Sequence, residues 1–208
     1  QTALEIARRS IVLLKNESLL PVDTQKFKKI LVTGPNANNQ SIMGDWVFEQ
    51  PEKNVSTILK GIKEEASGTQ INYVDVGWNM RALDSAKIEK AIQTAKSSDL
   101  AIVIVGEDSF RQHWKEKTCG ENRDRMDITL WGKQDYLVES IYKTGVPTIV
   151  ILVNGRPLAT GWVAENIPAV IEAWEPGSMG GKAIAEILFG KVNPSGKLPI
   201  TIPRHVGQ

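Results

Sequence analysis

The chain has 208 residues, 41% of them hydrophobic, which is enough apolar surface for a real core and excludes a disordered polypeptide. Its 25 basic and 24 acidic residues leave a net charge of +1, so it carries no electrostatic footprint for nucleic acid or for a membrane surface. No uninterrupted apolar stretch is long enough to span a bilayer.

In chain order, Leu4, Ala7, Ile11 and Leu14 recur three or four residues apart and predict an amphipathic helix over 2–16. Pro21 ends regular structure behind it. Lys29-Ile30-Leu31-Val32-Thr33 reads as a first buried strand, running into the turn cluster Gly34-Pro35-Asn36-Ala37-Asn38. A helix follows over 56–66, with Ser56 as its N-cap and Gly68 as its stop. Residues 71–76 form a second strand. Residues 84–97 form a helix opened by Asp84 or Ser85.

The third strand, Ala101-Ile102-Val103-Ile104-Val105-Gly106, is a near-continuous apolar run of the kind buried on both faces of a parallel sheet. Glu107 follows at once and opens a long polar loop that carries Trp114, Cys119, Glu121, Arg123 and Arg125. Loops this long inside a compact domain are usually functional, and ligands of such sheets sit outside the carboxyl ends of the strands. A helix over 133–144 and strands at 148–153 and 169–174 come next. The chain then turns through Glu175-Pro176-Gly177-Ser178-Met179-Gly180-Gly181 into a helix over 182–189. The tail Lys197-Leu198-Pro199-Ile200-Thr201-Ile202-Pro203 is an edge strand at most, because its prolines exclude a central place. The alternation predicts an α/β fold: a mostly parallel sheet of five or six strands with helices on both faces, layered as in flavodoxin. Residues 1–208 read as one domain, with 1–22 entering it.

No phosphate-binding glycine fingerprint is present, which argues against a nucleotide-binding domain; the Gly177–Gly181 segment reads as a tight strand-to-helix turn. One cysteine and two separated histidines make no recognisable metal site. Trp78, Trp131, Trp162 and Trp174 have apolar flanks and read as core or lid packing, whereas Trp46 and Trp114 lie in polar loops. An indole beside carboxylates suits a sugar, whose apolar ring face stacks on it. The two glutamates of the third loop, Glu107 and Glu121, suit glycoside hydrolysis, which needs carboxyl groups across the bond; a structural ion cluster with Arg123 and Arg125 is the competing reading.

An ordered set of motifs resembles the second domain of glycoside hydrolase family 3, the β-glucosidases and their relatives. It runs through Ser10–Asn16 with Leu19-Leu20-Pro21, Thr33–Ala37, Met43-Gly44-Asp45-Trp46 and Val105-Gly106-Glu107. It continues through Asn154–Leu158, Glu172–Gly177 and Leu188–Pro199, covering essentially the whole chain. The resemblance implies a preceding barrel domain that carries an aspartate nucleophile, absent from this chain, with the sandwich lending the general acid/base. Glu121, a few residues before Arg125-Met126-Asp127-Ile128, matches that acid/base; Glu107 is its counterpart in members that place the acid at the strand end, and loop reach favours Glu121. Trp46, with Asp45 and Glu107, matches the sugar-contacting positions. The resemblance further implies a β-linked oligosaccharide or glucoside as substrate, the barrel as partner in the same polypeptide, no cofactor, and a periplasmic or secreted location. The chain alone, a sugar-contacting module at most, is expected to be inactive.

Overall fold

The computed structural model describes residues 1–208. Six strands form one sheet in the order β1-β6-β5-β4-β2-β3. They are β1 (Val12–Asn16), β2 (Lys29–Thr33), β3 (Gln70–Val74), β4 (Leu100–Gly106), β5 (Thr148–Val153) and β6 (Ala169–Glu172). All pairs are parallel except β1 with β6. Alternate residues of each strand feed opposite cores, as the two-residue side-chain period demands. Ile30, Val32, Ile102, Ile104, Ile149 and Ile151 point to the face covered by α1 (Thr2–Ser10), α2 (Ile58–Glu65) and α6 (Gly180–Leu188). Leu31, Val103, Val105, Val150 and Leu152 point to the face covered by α3 (Ser85–Ala95), α4 (Gln134–Tyr142) and α5 (Gly161–Asn166).

Two helices meet at glycine. A Cβ on Gly61 of α2 would lie 2.1 Å from the Gly181 carbonyl oxygen, and one on Gly181 would lie 2.0 Å from that of Thr57. Only the absent side chains let these backbones touch. On the same face Arg8 of α1 donates from Nε and Nη2 to the two oxygens of Glu186 of α6, both at 2.7 Å. This fork-to-fork pair docks the first helix.

Three expectations need correction. The first helix stops at Ser10, where Ile11 turns extended (φ −71°, ψ 131°), and 12–16 become the antiparallel edge strand. Val12-Leu13-Leu14 is a short apolar run whose spacing fits either period, and pairing with β6 decides it. The tail 197–203 forms no strand. The helix α5 was not anticipated; six residues ahead of Pro168 give too short a pattern to read. The N-cap of α2 is Thr57, whose hydroxyl accepts from Lys60 N–H at 3.2 Å, rather than Ser56.

The strand order places the site. The chain leaves β2 for β3 on one side, then returns to lay β4 on the other. The crossovers that follow β2 and β4 cover opposite faces, so their loops part at the carboxyl ends and leave a crevice. The 34–57 and 107–133 segments rise there.

Two outcomes test this packing. Gly61→Ala gains about 1 kcal/mol of helix propensity but loses more to the clash with Gly181, so a urea titration is expected to show a net loss of about 1–2 kcal/mol. Glu172 is fully buried at the end of β6, and burial pushes its carboxyl from 4.5 to about 7 although Trp174 N–H and Asn154 donate to it. As pH rises from 4.5 to 7 the unfolded chain releases this proton before the folded one, so stability falls through that window. Denaturation series across that range are expected to show a shallower fall for Glu172→Gln.

Candidate active site

The loop after β4 is closed on itself at its base. Asp108 N–H donates to Thr118 Oγ1 at 2.9 Å, while the Thr118 and Cys119 N–H groups donate to Asp108 O at 2.6 and 3.2 Å. The Asp108 carboxylate is buried; it accepts from Ser41 Oγ at 2.7 Å and Phe110 N–H at 3.0 Å and lies 2.6 Å from His113 Nδ1. Arginines clasp the outer carbonyls. Arg123 reaches Lys117 O at 3.2 Å and also Trp114 O, and Arg81 reaches Glu116 O and Lys117 O at 3.4 Å.

Lys117 is fully buried inside this loop. Its ammonium donates to Asp45 Oδ2 at 2.8 Å and faces the Trp114 ring at 4.4 Å. Asp45 belongs to the loop after β2, so this pair ties the two loops together. The same oxygen accepts from Glu121 N–H at 2.6 Å, and Arg111 lies 3.4 Å from Oδ1. Burial works to raise the Asp45 carboxyl, but Lys117, the Glu121 N–H and Arg111 outweigh it and hold it below the usual range. Gly120 is required beside it: φ is +86°, and a Cβ would fall 2.6 Å from Asp45 Oδ2.

Glu121 projects at the outer lip. Its side chain is 41% exposed, and Oε2 accepts from Arg111 Nη1 and Nη2, both at 3.0 Å. The Arg111 guanidinium lies 3.8 Å from the centre of the Trp46 ring and 5.2 Å from that of Trp114. Trp46 itself is 74% exposed. Trp46 and Glu121, 75 positions apart, are thus bridged by one arginine. The arginines near it in sequence go elsewhere. Arg123 binds loop carbonyls, and Arg125 binds Glu107.

Glu107 lies below this layer with its side chain wholly buried. Arg125 Nη1 donates to one oxygen at 2.9 Å and Arg156 Nε to the other at 3.2 Å. Desolvation lifts its carboxyl above the ordinary range against the pull of both arginines. Both oxygens are engaged from within the protein. Asp45 is likewise turned inward.

The chain from 11 to 208 matches the glycosyl hydrolase family 3 C-terminal domain. The chain belongs to glycoside hydrolase family 3. It is 41% identical to a β-xylosidase of Formosa agariphila and 36% identical to a periplasmic β-glucosidase of Salmonella typhimurium, each match covering 99% of this chain. The chain spans only 28% and 29% of those two proteins' lengths. The β-glucosidase of Listeria innocua, solved with isofagomine, superposes with a TM-score of 0.85 at 29% identity over 99% of this chain and 27% of that one. This family 3 chain therefore corresponds to the C-terminal α/β domain of relatives that are β-glucosidases and β-xylosidases.

Arg111, Lys117, Asp108 and Glu175 were missed by sequence reasoning. Arg111 has no local pattern that marks it. Glu175 sits one residue beyond Trp174, whose positive φ of 55° turns the chain out of β6. Its carboxyl accepts from Ser109 Oγ and lies 4.0 Å from Cys119 Sγ. Burial pushes it upward, as do the charges of Asp45, Glu107 and Asp108, against the Ser109 hydrogen bond. Its place at the carboxyl end of a buried strand was the available signal.

Half-exposed ion pairs add little to stability, so Arg111→Ala is expected to change it by less than about 1 kcal/mol. The change should appear in order instead: a lower heteronuclear NOE at the Trp46 indole N–H. Arg111→Lys is expected to restore little of it, because an ammonium lacks the flat face that stacks on the ring.

Proposed function

We propose that this domain supplies the general acid/base, Glu121, and part of the sugar subsite, Trp46, to a retaining β-glycosidase that removes terminal β-linked glucose or xylose. The nucleophile belongs to a barrel elsewhere in the longer polypeptide. The observation that carries this reading is the pairing, through Arg111, of the outward Glu121 carboxyl on one braced loop with the outward Trp46 indole on the other, while Asp45, Glu107, Asp108 and Glu175 are engaged from within the protein. Glucose and xylose are named because the relatives are β-glucosidases and β-xylosidases.

In the first step Glu121 gives its proton to the leaving oxygen as the barrel aspartate attacks the anomeric carbon. In the second it takes a proton from the water that releases the sugar. In this scheme the acid step takes place with Glu121 closed against the barrel and water excluded. Asp45 and Glu107 hold the loop in this scheme rather than touching sugar. Trp46 receives the ring beyond the cleaved bond. The periplasmic relative supports a periplasmic or secreted location.

The test uses the longer polypeptide with Glu121→Ala. Loss of the proton donor is expected to lower hydrolysis of an unactivated disaccharide by about 10²–10⁴-fold, while an aryl glucoside with a good leaving group keeps its fast first step and azide restores turnover. Equal rates for variant and parent on both substrates would overturn the assignment and move attention to Glu175. The 208-residue chain alone is expected to hydrolyse neither.

A further inference from the structure

Trp78, whose apolar flanks read as core or lid packing, lies 41% exposed at the carboxyl end of β3. It is nevertheless fixed. Its ring stacks on His113 at 3.9 Å between centroids and 22° between planes. His113 is held at Nδ1 by the buried Asp108, and Phe110 meets it edge-on at 5.3 Å. An indole held by a buried carboxylate through an imidazole, with its remaining face in solvent, is a rigid platform prepared in advance of any ligand.

The platform borders a cavity of about 300 Å³ lined also by Gln40, Glu49, Tyr73 and Asp75. Glu49 and Asp75 are exposed carboxylates. One oxygen of Asp75 accepts from Gly77 N–H at 2.8 Å; burial, helped by the Asp75 charge, pushes the neighbouring Tyr73 hydroxyl up to about 12, keeping it a hydrogen-bond donor. The cavity offers a flat apolar face and several acceptors. Hydroxyl groups on an apolar ring satisfy both. Two carboxylates repel a phosphate or any other anion.

The cavity adjoins the sugar site already described. A single 3-10 turn, Arg111–His113, serves both: Arg111 covers Trp46, and His113 backs Trp78. Gln40 closes the base of the Trp46 loop through two hydrogen bonds to the Gln50 backbone, at 2.7 and 2.9 Å, and Glu49 stands beside it.

We propose that Trp78, with Glu49 and Asp75, forms a distal subsite for the further sugar units of a β-linked oligosaccharide whose nearer ring rests on Trp46. The proposal builds on the function given above and extends it from terminal disaccharides to longer chains. Each unit bound there is neutral, stacks on the open indole face and donates hydroxyl hydrogens to the two carboxylates.

Two experiments test it, one of them independent of catalysis. In nitrogen-15 spectra of this chain, with the Trp78 indole signal assigned through Trp78→Phe, β-1,4-linked gluco- and xylo-tetrasaccharides are titrated beside glucose. The Trp78 signal is expected to move with at least one tetrasaccharide and to stay still with glucose, and the responding sugar names the class. In the longer polypeptide, the ratio of kcat/KM for tetrasaccharide over disaccharide is expected to fall about five- to tenfold in Trp78→Ala, the worth of one aromatic stack. Glu49→Gln, exposed and without a protein partner, is expected to lower the same ratio about two- to fivefold without touching the fold. A Trp78 signal indifferent to both tetrasaccharides, or a ratio unchanged in both variants, overturns the subsite. If Glu121→Ala proves fully active while Trp78 still answers the tetrasaccharide, the catalytic assignment has failed and the subsite stands.

Discussion

The arrangement depends on one buried charge. Lys117 has no exposed surface, and an ammonium out of water must be paired or it does not stay charged. Asp45 meets it at 2.8 Å from the neighbouring loop. Such a pair contributes little net stability, since desolvation cancels most of the attraction, but leaving either member alone costs about 3–5 kcal/mol. Its effect is therefore on geometry. With the two loops joined, the oxygen that receives Lys117 also receives the Glu121 N–H, and the position of Glu121 follows from the position of Asp45.

Charge is sorted by depth at this end of the sheet. Glu107, wholly buried, is matched by Arg125 and Arg156. Asp45, nearly buried, is matched by Lys117 and Arg111. Glu121, half in solvent, shares Arg111. Water compensates the outermost carboxylate, so a single shared cation suffices there. Glu175 is the exception: burial, together with the charges of Asp45, Glu107 and Asp108, lifts it above its ordinary range against a single serine hydrogen bond.

The tryptophans follow a second rule. Arg111 covers Trp46, Lys117 faces Trp114, and Arg81 and Arg125 lie 4.0 and 4.5 Å from the Trp131 ring centre. Cation–π contacts let a loop rich in positive charge carry large aromatic groups without an apolar core beneath them. Trp78 is held instead by stacking on the imidazole of His113. At Trp46, Trp78 and Trp114 the outcome is an indole that is exposed yet held in place, the condition under which stacking a ligand costs least entropy.

Much of this was legible beforehand. The strands β2, β4 and β5 announce themselves as apolar runs, the long loop after β4 follows directly, and the ordered motifs identify the family over the whole chain. These are local signals, written in consecutive residues. What tertiary structure decided is everything that depends on which distant groups meet. Residues 12–16 became a strand because β6 offered them an edge, although their spacing also fits a helix. The arginine that holds Glu121 is Arg111, ten positions before it, because the loop folds back on Asp108 and Thr118 and turns the nearer Arg123 and Arg125 inward. Glu107, matched to a sugar-contacting position, is sealed, and Trp78, read as core or lid packing, is exposed, since burial is set by what the neighbouring loops cover. Sequence periodicity records the environment of a regular element; it holds no record of how an irregular loop closes, and there the pairing of buried charge decides.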